Sequence, residues 1–408
     1  MSAAATAEML ERREALARGR ALTDSLFAEV RADAFYDRPI PERHRILFYA
    51  GHLEAFDWNL IGRGALGRPP VSQELDRLFA FGIDPPPGQL PQDQPGDWPT
   101  PEQSRQYVQQ ARRALDAVLE VVAQDVFDMA LEHRLMHAET LTYMLHSLSR
   151  SRRRTPDLPL AAGAAAPPLR MIEIPAGTAT LGQRRGAAFG WDNEFEAHRQ
   201  EAASFAISRH KITNAQYLEF VRAGGAPPHY WEERGGRWYY HGMSADVPVP
   251  NDLPVYVSQE QAVQYAQWAG KSLPTECQFH RAAFGTPEGG ERTYPWGEEA
   301  PEVRHGNFHF FHRDLVPVTA TPAGDSAFGV AQLVGNGWEW TASVFAPFPG
   351  FTAAPLYPGY SSNFFDGDHY VLQGASCVTH ARLLRPSFRN WFRKSYPYAY
   401  ATFRLVEN

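Results

Sequence analysis

The grammar of the chain changes near residue 150, and no single architecture accommodates both sides of the change. From Ala7 to about Arg150 the sequence is rich in Ala, Leu, Glu and Arg, with apolar residues recurring at intervals of three and four. That is the period of amphipathic helices. The spacing predicts helices at about 7–32, 41–62, 101–122 and 123–149, with a loop from Gly64 to Thr100 broken by prolines and glycines. Such a set packs as an antiparallel four-helix bundle. The string SRRRTPDLPLAAGAAAPP, residues 151–168, has no periodicity and reads as a connection. Beyond it come short β-like runs such as Met171–Pro175, many Gly and Pro, and most of the tryptophans. That texture suits a compact α+β domain. The reading is therefore multidomain, α then α+β: 1–150, a linker at 151–168, and 169–408. Two helices of the second half are announced by caps, Ser258 with Gln261 and Thr275 with Gln278, the first helix stopping at Gly270.

Composition removes several classes of function. Lys and Arg number 39 against 46 Asp and Glu, a net charge of -7, and the largest basic cluster is Arg152-Arg153-Arg154. A nucleic-acid partner is not expected from that balance. The N-terminus MSAAATAEMLERREALARGR lacks the apolar stretch of a signal peptide, and no segment is apolar enough to cross a bilayer. The expectation is a cytoplasmic protein with no membrane partner. Cys277 and Cys377 lack CxxC spacing and read as reduced structural residues.

The fourth predicted helix carries the strongest chemical signal. Val126, Met129, His133, His137, Thr140, Met144 and Leu148 fall on one stripe at alternating three and four spacing. At i and i+4, His133 and His137 can present their imidazoles to one point, as two ligands of one metal must. On the second helix, Phe48, His52, Ala55, Phe56 and Asn59 form a similar stripe, so His52 can supply a third nitrogen. A single histidine on an apolar face is most often a hydrogen-bonded core residue, but two neutral imidazoles in one stripe would each need a buried partner. Glu139 lies about 200° around the helix from His137, which places it behind a ligand or at the surface. His312-Arg-Asp314 has the HxD form of a carboxylate facial triad, but no distal histidine in a β-barrel pattern supports it, and it reads as a loop.

GHLEAFDWN around His52 and HRLMHAE from His133 to Glu139 resemble the DinB-like iron-binding bundle of the sulfoxide synthases of ergothioneine and ovothiol biosynthesis. The second half resembles their formylglycine-generating-enzyme-like (C-type-lectin-like) domain: MIEIPAGTATLG from Met171, FGWDNE from Phe189, ITNAQYLEF from Ile212, LPTECQF from Leu273, GNGWEWT from Gly335 and RPSFRNW from Arg385. The resemblance implies Fe(II) held by His52, His133 and His137, with O2 as cosubstrate and the substrate imidazole and a thiolate or selenolate in the open positions. A neutral three-histidine set leaves the charge of Fe(II) uncompensated, which favours an anionic soft ligand. It further implies that the second domain supplies the pocket floor, with Asn390-Trp391 against the quaternary ammonium of histidine betaine. An aromatic face suits a cation with no donor to offer. The resemblance also implies a catalytic tyrosine before the FFDG string, Tyr360 or Tyr357, with Tyr360 preferred, able to deliver a proton or hydrogen atom to the reacting oxygen.

Three departures bear on the second substrate. Met136 stands where ergothioneine synthases often carry Gln, Phe392 replaces an Asp after the RNW tryptophan, and the arginine-bearing loop that clamps γ-glutamylcysteine is not recognisable. In its place Phe81–Trp98 has no Arg or Lys, so a donor with two carboxylates finds little to hold it. Loop amides of Gln89, Gln92 or Gln94 could instead bind sugar hydroxyls, although Arg385 or Arg389 could replace the clamp. The resemblance is nearest to the selenoneine synthase branch, whose donor is a selenosugar. An ergothioneine-type synthase using cysteine or another thiol, a formylglycine-generating enzyme and a non-enzymatic ligand-binding module remain as alternatives. Oligomeric state is not legible.

Overall fold

In a computed structural model the described residues are 3–82, 90–154, 160 and 163–408. The chain divides into two compact units, Met1–Pro156 and Asp157–Asn408.

The first unit is helical: α1 (Ala3–Glu29), α2 (Ile46–Asp57), α3 (Gln73–Phe81), α4 (Pro101–Asp116) and α5 (Gln124–Ser147). α1 packs on α5, and α2 packs on α3, α4 and α5. The chain leaves α2 as a π-helical segment, Trp58–Ala65, in which the amide of Leu66 donates to the Ile61 carbonyl five residues back (3.0 Å). α3 was not expected, since the prolines and glycines around it masked its signals. Ser72 caps its start by accepting from the Leu75 amide (3.3 Å), Phe79 buries its apolar face, and Gly82 at φ 72° ends it. α4 opens on a Thr100–Gln103 capping box and stops at Asp116, earlier than its apolar period predicts, because a 3-10 turn at Leu119–Val121 breaks it from α5. Inside the bundle Arg134 is fully buried and paired with Asp57 (2.5 Å) and Glu54 (2.9 Å) of α2, while Arg112 of α4 joins Glu54 to Asp24. Buried charges persist only when paired in this way. Arg152 and Arg153, expected in the connection, belong to this unit: Arg152 pairs with Asp33 and Asp37, and Arg153 bridges to Val30. The rest of the expected connection includes 155–159 and 161–162, which lie outside the described residues.

The second unit is α+β. Its strands are β1 (Met171–Ile174), β2 (Gly177–Leu181), β3 (His198–Ala202), β4 (Phe205–Ser208), β5 (Trp231–Arg234), β6 (Arg237–His241), β7 (Asp246–Pro248), β8 (Gly337–Val344), β9 (His369–Ala375), β10 (Asn390–Arg393), β11 (Ala401–Thr402) and β12 (Val406–Glu407). They form small sheets ordered β1-β4-β12, β10-β9-β8-β11, β2-β3 and β5-β6-β7. Four α-helices accompany them among the described residues: α6 (Asn214–Arg222), α7 (Gln259–Trp268), α8 (Glu276–Phe284) and α9 (Gly359–Ser362). Ser258–Gln261 and Thr275–Gln278 form the expected capping boxes of α7 and α8, and Gly270 follows α7 at φ 68°. A core of Ile174, Phe205, Ile207, Phe279, Leu333 and Val406 joins the first sheet to α8. Glu339 on β8 is buried between Lys211 (2.6 Å) and Arg404 (2.6 Å), an ionic lock at the centre of the unit. No helix among the described residues is long and apolar enough to cross a membrane.

Candidate functional site

His52 on α2 and His133 and His137 on α5 meet inside the helical unit. Each offers a ring nitrogen, and these atoms lie within 4.8 Å of one another. Ring centroids are 5.2 Å apart for His52 and His133, 4.9 Å for His52 and His137, and 4.5 Å for His133 and His137. The i, i+4 spacing on α5 brings the latter two together, and α2 packing on α5 brings in the third. Phe56 stacks on His133 (3.4 Å, 10°), Phe48 stacks on His52 (4.7 Å, 27°), and Tyr49 lies 5.7 Å from His137. These rings flank the histidines on their α2 side.

The imidazoles are prepared as neutral ligands. Burial pushes His52 down to about 4, against the opposing bond to the Phe79 carbonyl, and holds His133 and His137 well below the ordinary histidine range. The cationic Arg134 acts in the same direction on all three. His52 Nδ1 lies 2.7 Å from the Phe79 carbonyl oxygen. His137 Nδ1 is buried with no hydrogen-bond partner among the described residues. An imidazole nitrogen in that position is costly unless something fills it, and a metal ion does. A transition-metal ion with nitrogen preference therefore fits this donor set, which leaves coordination positions open for substrates. Glu139 is buried on α5 and lies outside the cluster of ligand nitrogens. Met136, on α5 beside His137, is half-buried. Asn59, the last member of the α2 stripe, falls in the π segment and donates to the Asp76 carbonyl (3.0 Å).

The second unit gathers the other expected residues into an aromatic cluster. Trp391 stacks on Phe345 (4.2 Å, 7°) and meets Tyr360 edge-on (5.2 Å, 80°). Tyr360 stacks on Trp191 (3.9 Å, 25°), and Tyr357 lies 5.6 Å from it. Burial pushes the Tyr357 phenol above its ordinary range, and the nearby Asp192 carboxylate adds to the effect. Phe392 is not in this cluster. Successive residues of a strand point to opposite faces, and its ring stacks instead on Tyr396 (4.9 Å, 4°). Asn390 precedes Trp391 on β10 and accepts from the Trp391 amide (2.9 Å). Trp191, Phe345 and the Phe79 carbonyl were not anticipated. FGWDNE is legible only as a family string, and the contacts of these residues, 27 to 169 positions apart, leave no periodic trace.

Several expected alternatives lose their chemistry. Cys377 is buried near the Tyr256 hydroxyl (3.8 Å) and Cys277 sits on α8; neither forms a disulfide, so no cysteine pair exists among the described residues. Asp314 of the HxD string accepts from the Tyr240 hydroxyl and the Met243 amide (3.1 Å each) and ties loops together. Arg385 pairs with Glu194 (2.5 Å) and Arg389 with Glu276 (2.8 Å). Of the loop amides, Gln89 lies outside the described residues, while Gln92 and Gln94 are exposed.

Residues 15–148 match the DinB superfamily, and residues 160–408 match the sulfatase-modifying factor enzyme 1-like domain. The hercynine oxygenase of Mycolicibacterium smegmatis is 34% identical over 321 residues, covering 71% of this chain and 74% of that protein. The hercynine oxygenase of Mycobacterium tuberculosis is also 34% identical, over 325 residues, covering 72% and 74%. Ergothioneine biosynthesis protein 1 of Schizosaccharomyces pombe is 27% identical over 432 residues, covering 92% of this chain and 53% of that protein. A DinB-type bundle followed by a formylglycine-generating-type domain defines an oxidative enzyme class. The chain belongs to the ergothioneine-type sulfoxide synthase family.

Proposed function

We propose that the protein is an O2-dependent non-haem iron synthase that joins the selenium of a selenosugar to the imidazole of hercynine, the trimethylated form of histidine, in selenoneine biosynthesis. The observation that carries the reading is the cluster of His52, His133 and His137 in a chain whose relatives are named hercynine oxygenases. These three histidines would hold Fe(II), which when bound supplies the activation of O2. Trp391 offers an aromatic face to the trimethylammonium, with Asn390 beside it. Tyr360, with Tyr357 as the alternate, holds a phenolic proton for transfer during the reaction. The balance closes without an external reductant. Hercynine loses its ring hydrogen and the selenol its own, both leave in water with one oxygen of O2, and the other oxygen ends on selenium.

Charge supports this choice of donor. The Phe81–Trp98 segment contains no Arg or Lys. Its Asp93 instead draws Arg38 and Arg45 onto itself, together with the Trp98 indole (2.7 Å). Arg385 and Arg389 are engaged by Glu194 and Glu276. A dicarboxylate thiol would lack its cationic partners, each worth about 1.5–3 kcal/mol, whereas a neutral sugar needs none. A selenol also ionises more readily than a thiol and is the softer ligand. The names of the relatives favour a second reading, in which the donor is cysteine or another thiol. Competition with Fe(II), O2 and hercynine, offering 1-selenoglucose, cysteine and γ-glutamylcysteine together, separates the two. The selenosugar conjugate should dominate by mass; a cysteine sulfoxide conjugate in its place overturns the donor assignment. No O2 uptake with any donor would favour a ligand-binding module.

A further inference from the structure

The turn Trp191–Glu194 touches two separate segments of the second unit at once. On one side Asp192 accepts from the Ser361 hydroxyl and, more weakly, from the Ala354 amide (3.3 Å), and Asn193 Nδ2 donates to the same Ser361 oxygen (3.0 Å). Ser361 is the residue after Tyr360, and Trp191 stacks on the Tyr360 ring. On the other side Glu194 accepts from Arg385 (2.5 and 2.8 Å) and Ser387 (2.6 Å), and the Asn193 carbonyl accepts from Arg389 (3.2 Å). Arg389 directly precedes Asn390 and Trp391. Asp192, Asn193, Glu194 and Ser361 are all at least nine-tenths buried, so these bonds are shielded from competing water. The short helix α9 has four residues and cannot hold its own geometry.

We infer that this turn is a positioning device for the reaction, in which Asp192 fixes the Tyr360 segment against the strand that carries Trp391. The inference rests on the proposed role of Tyr360 in turnover, but the anchoring itself does not. Asp192 touches neither substrate nor metal in this scheme; it acts through Ser361. Burial raises the Asp192 carboxyl above its ordinary range while the Ser361 hydroxyl and the Ala354 and Asn193 amides favour its charged form, as expected of an acceptor held by donors on both oxygens. An amide in its place keeps one acceptor and turns the other into a donor facing donors.

Full-length Asp192→Asn and Ser361→Ala proteins test this, the second removing one hydroxyl with little risk to folding. Hydrogen–deuterium exchange should quicken in peptides spanning 351–365 in both variants and stay unchanged across α5. Unaltered exchange in that segment for both variants overturns the anchoring. Turnover is then measured with hercynine and, in parallel, 1-selenoglucose or cysteine, for Asp192→Asn, Tyr360→Phe and the double variant. Asp192→Asn should lower kcat about ten- to a hundred-fold with little change in KM for hercynine, as small misplacements of a reacting group do. In the double variant the loss should not exceed that of Tyr360→Phe alone. Additive losses would show that Asp192 does not act through Tyr360 and overturn that half. Full activity of Tyr360→Phe with quickened exchange in Asp192→Asn would instead remove the role of Tyr360 and leave the anchoring standing.

Discussion

His52 Nδ1 lies 2.7 Å from the carbonyl oxygen of Phe79, across the junction of α2 and α3. A carbonyl only accepts, so the ring proton sits on Nδ1 and Nε2 keeps the lone pair. The bond fixes both tautomer and ring orientation before any metal arrives. Gly51 is what allows Phe79 so close, since a Cβ there would meet its ring at 2.4 Å. Gly51→Ala should therefore displace Phe79 and weaken metal affinity about 10–100-fold, read by chelator competition. Unchanged affinity would mean that the carbonyl does not orient His52.

Anaerobically loaded protein should hold about one Fe(II) per chain by metal analysis. His133→Ala and His137→Ala should each lose the metal and turnover while keeping the helical circular dichroism, because a neutral imidazole is removed and no charge is left unpaired. A fully active His137→Ala protein ends the metal assignment.

Trp391→Ala should weaken hercynine binding by about 2 kcal/mol, roughly thirtyfold, by loss of a desolvated cation–π contact. Calorimetric titration reads it. Histidine should be a poor acceptor, since its ammonium would leave N–H donors unsatisfied there. Equal turnover of histidine and hercynine rules out the acceptor assignment.

Acid stability should depend on Glu339. Burial opposes its charge, but Arg404 and Lys211 outweigh it and hold the carboxyl below its ordinary 4.5. A depressed carboxyl pKa contributes stability that is fully present above the unfolded value and is lost as pH falls through the folded one. Denaturant midpoints of the wild type should thus fall steeply below pH 4.5. Glu339→Gln should be less stable by about 3–5 kcal/mol at neutral pH, because it strands buried cations, and should show a flatter acid limb. An equally steep acid limb in that variant would assign the effect to another carboxylate.

The parts of this protein legible in its sequence are those written in local periods. The stripe of α5 gathers His133 and His137 because four residues make about one turn, and the caps of α7 and α8 are local four-residue devices. α3 carried the same signals in Ser72 and Gly82, but its single buried turn around Phe79 is too short for a period to stand out among the prolines. The partnership of Trp191 with Tyr360, or of Arg385 with Glu194, joins residues 169 and 191 positions apart and has no period at all. Phe392 is singled out by a family departure, and the local alternation of β10 then turns its ring from Trp391 onto Tyr396, which the string RNW alone does not reveal.

The π segment after α2 sets where the chain goes next. A π turn spends one residue more than an α turn, so Trp58–Ala65 turns the residues that follow through a smaller angle at each step. Asn59 within it donates to the Asp76 carbonyl of α3 (3.0 Å), the same helix whose Phe79 carbonyl meets His52, so the irregular turn is tied to the helix that orients a ligand.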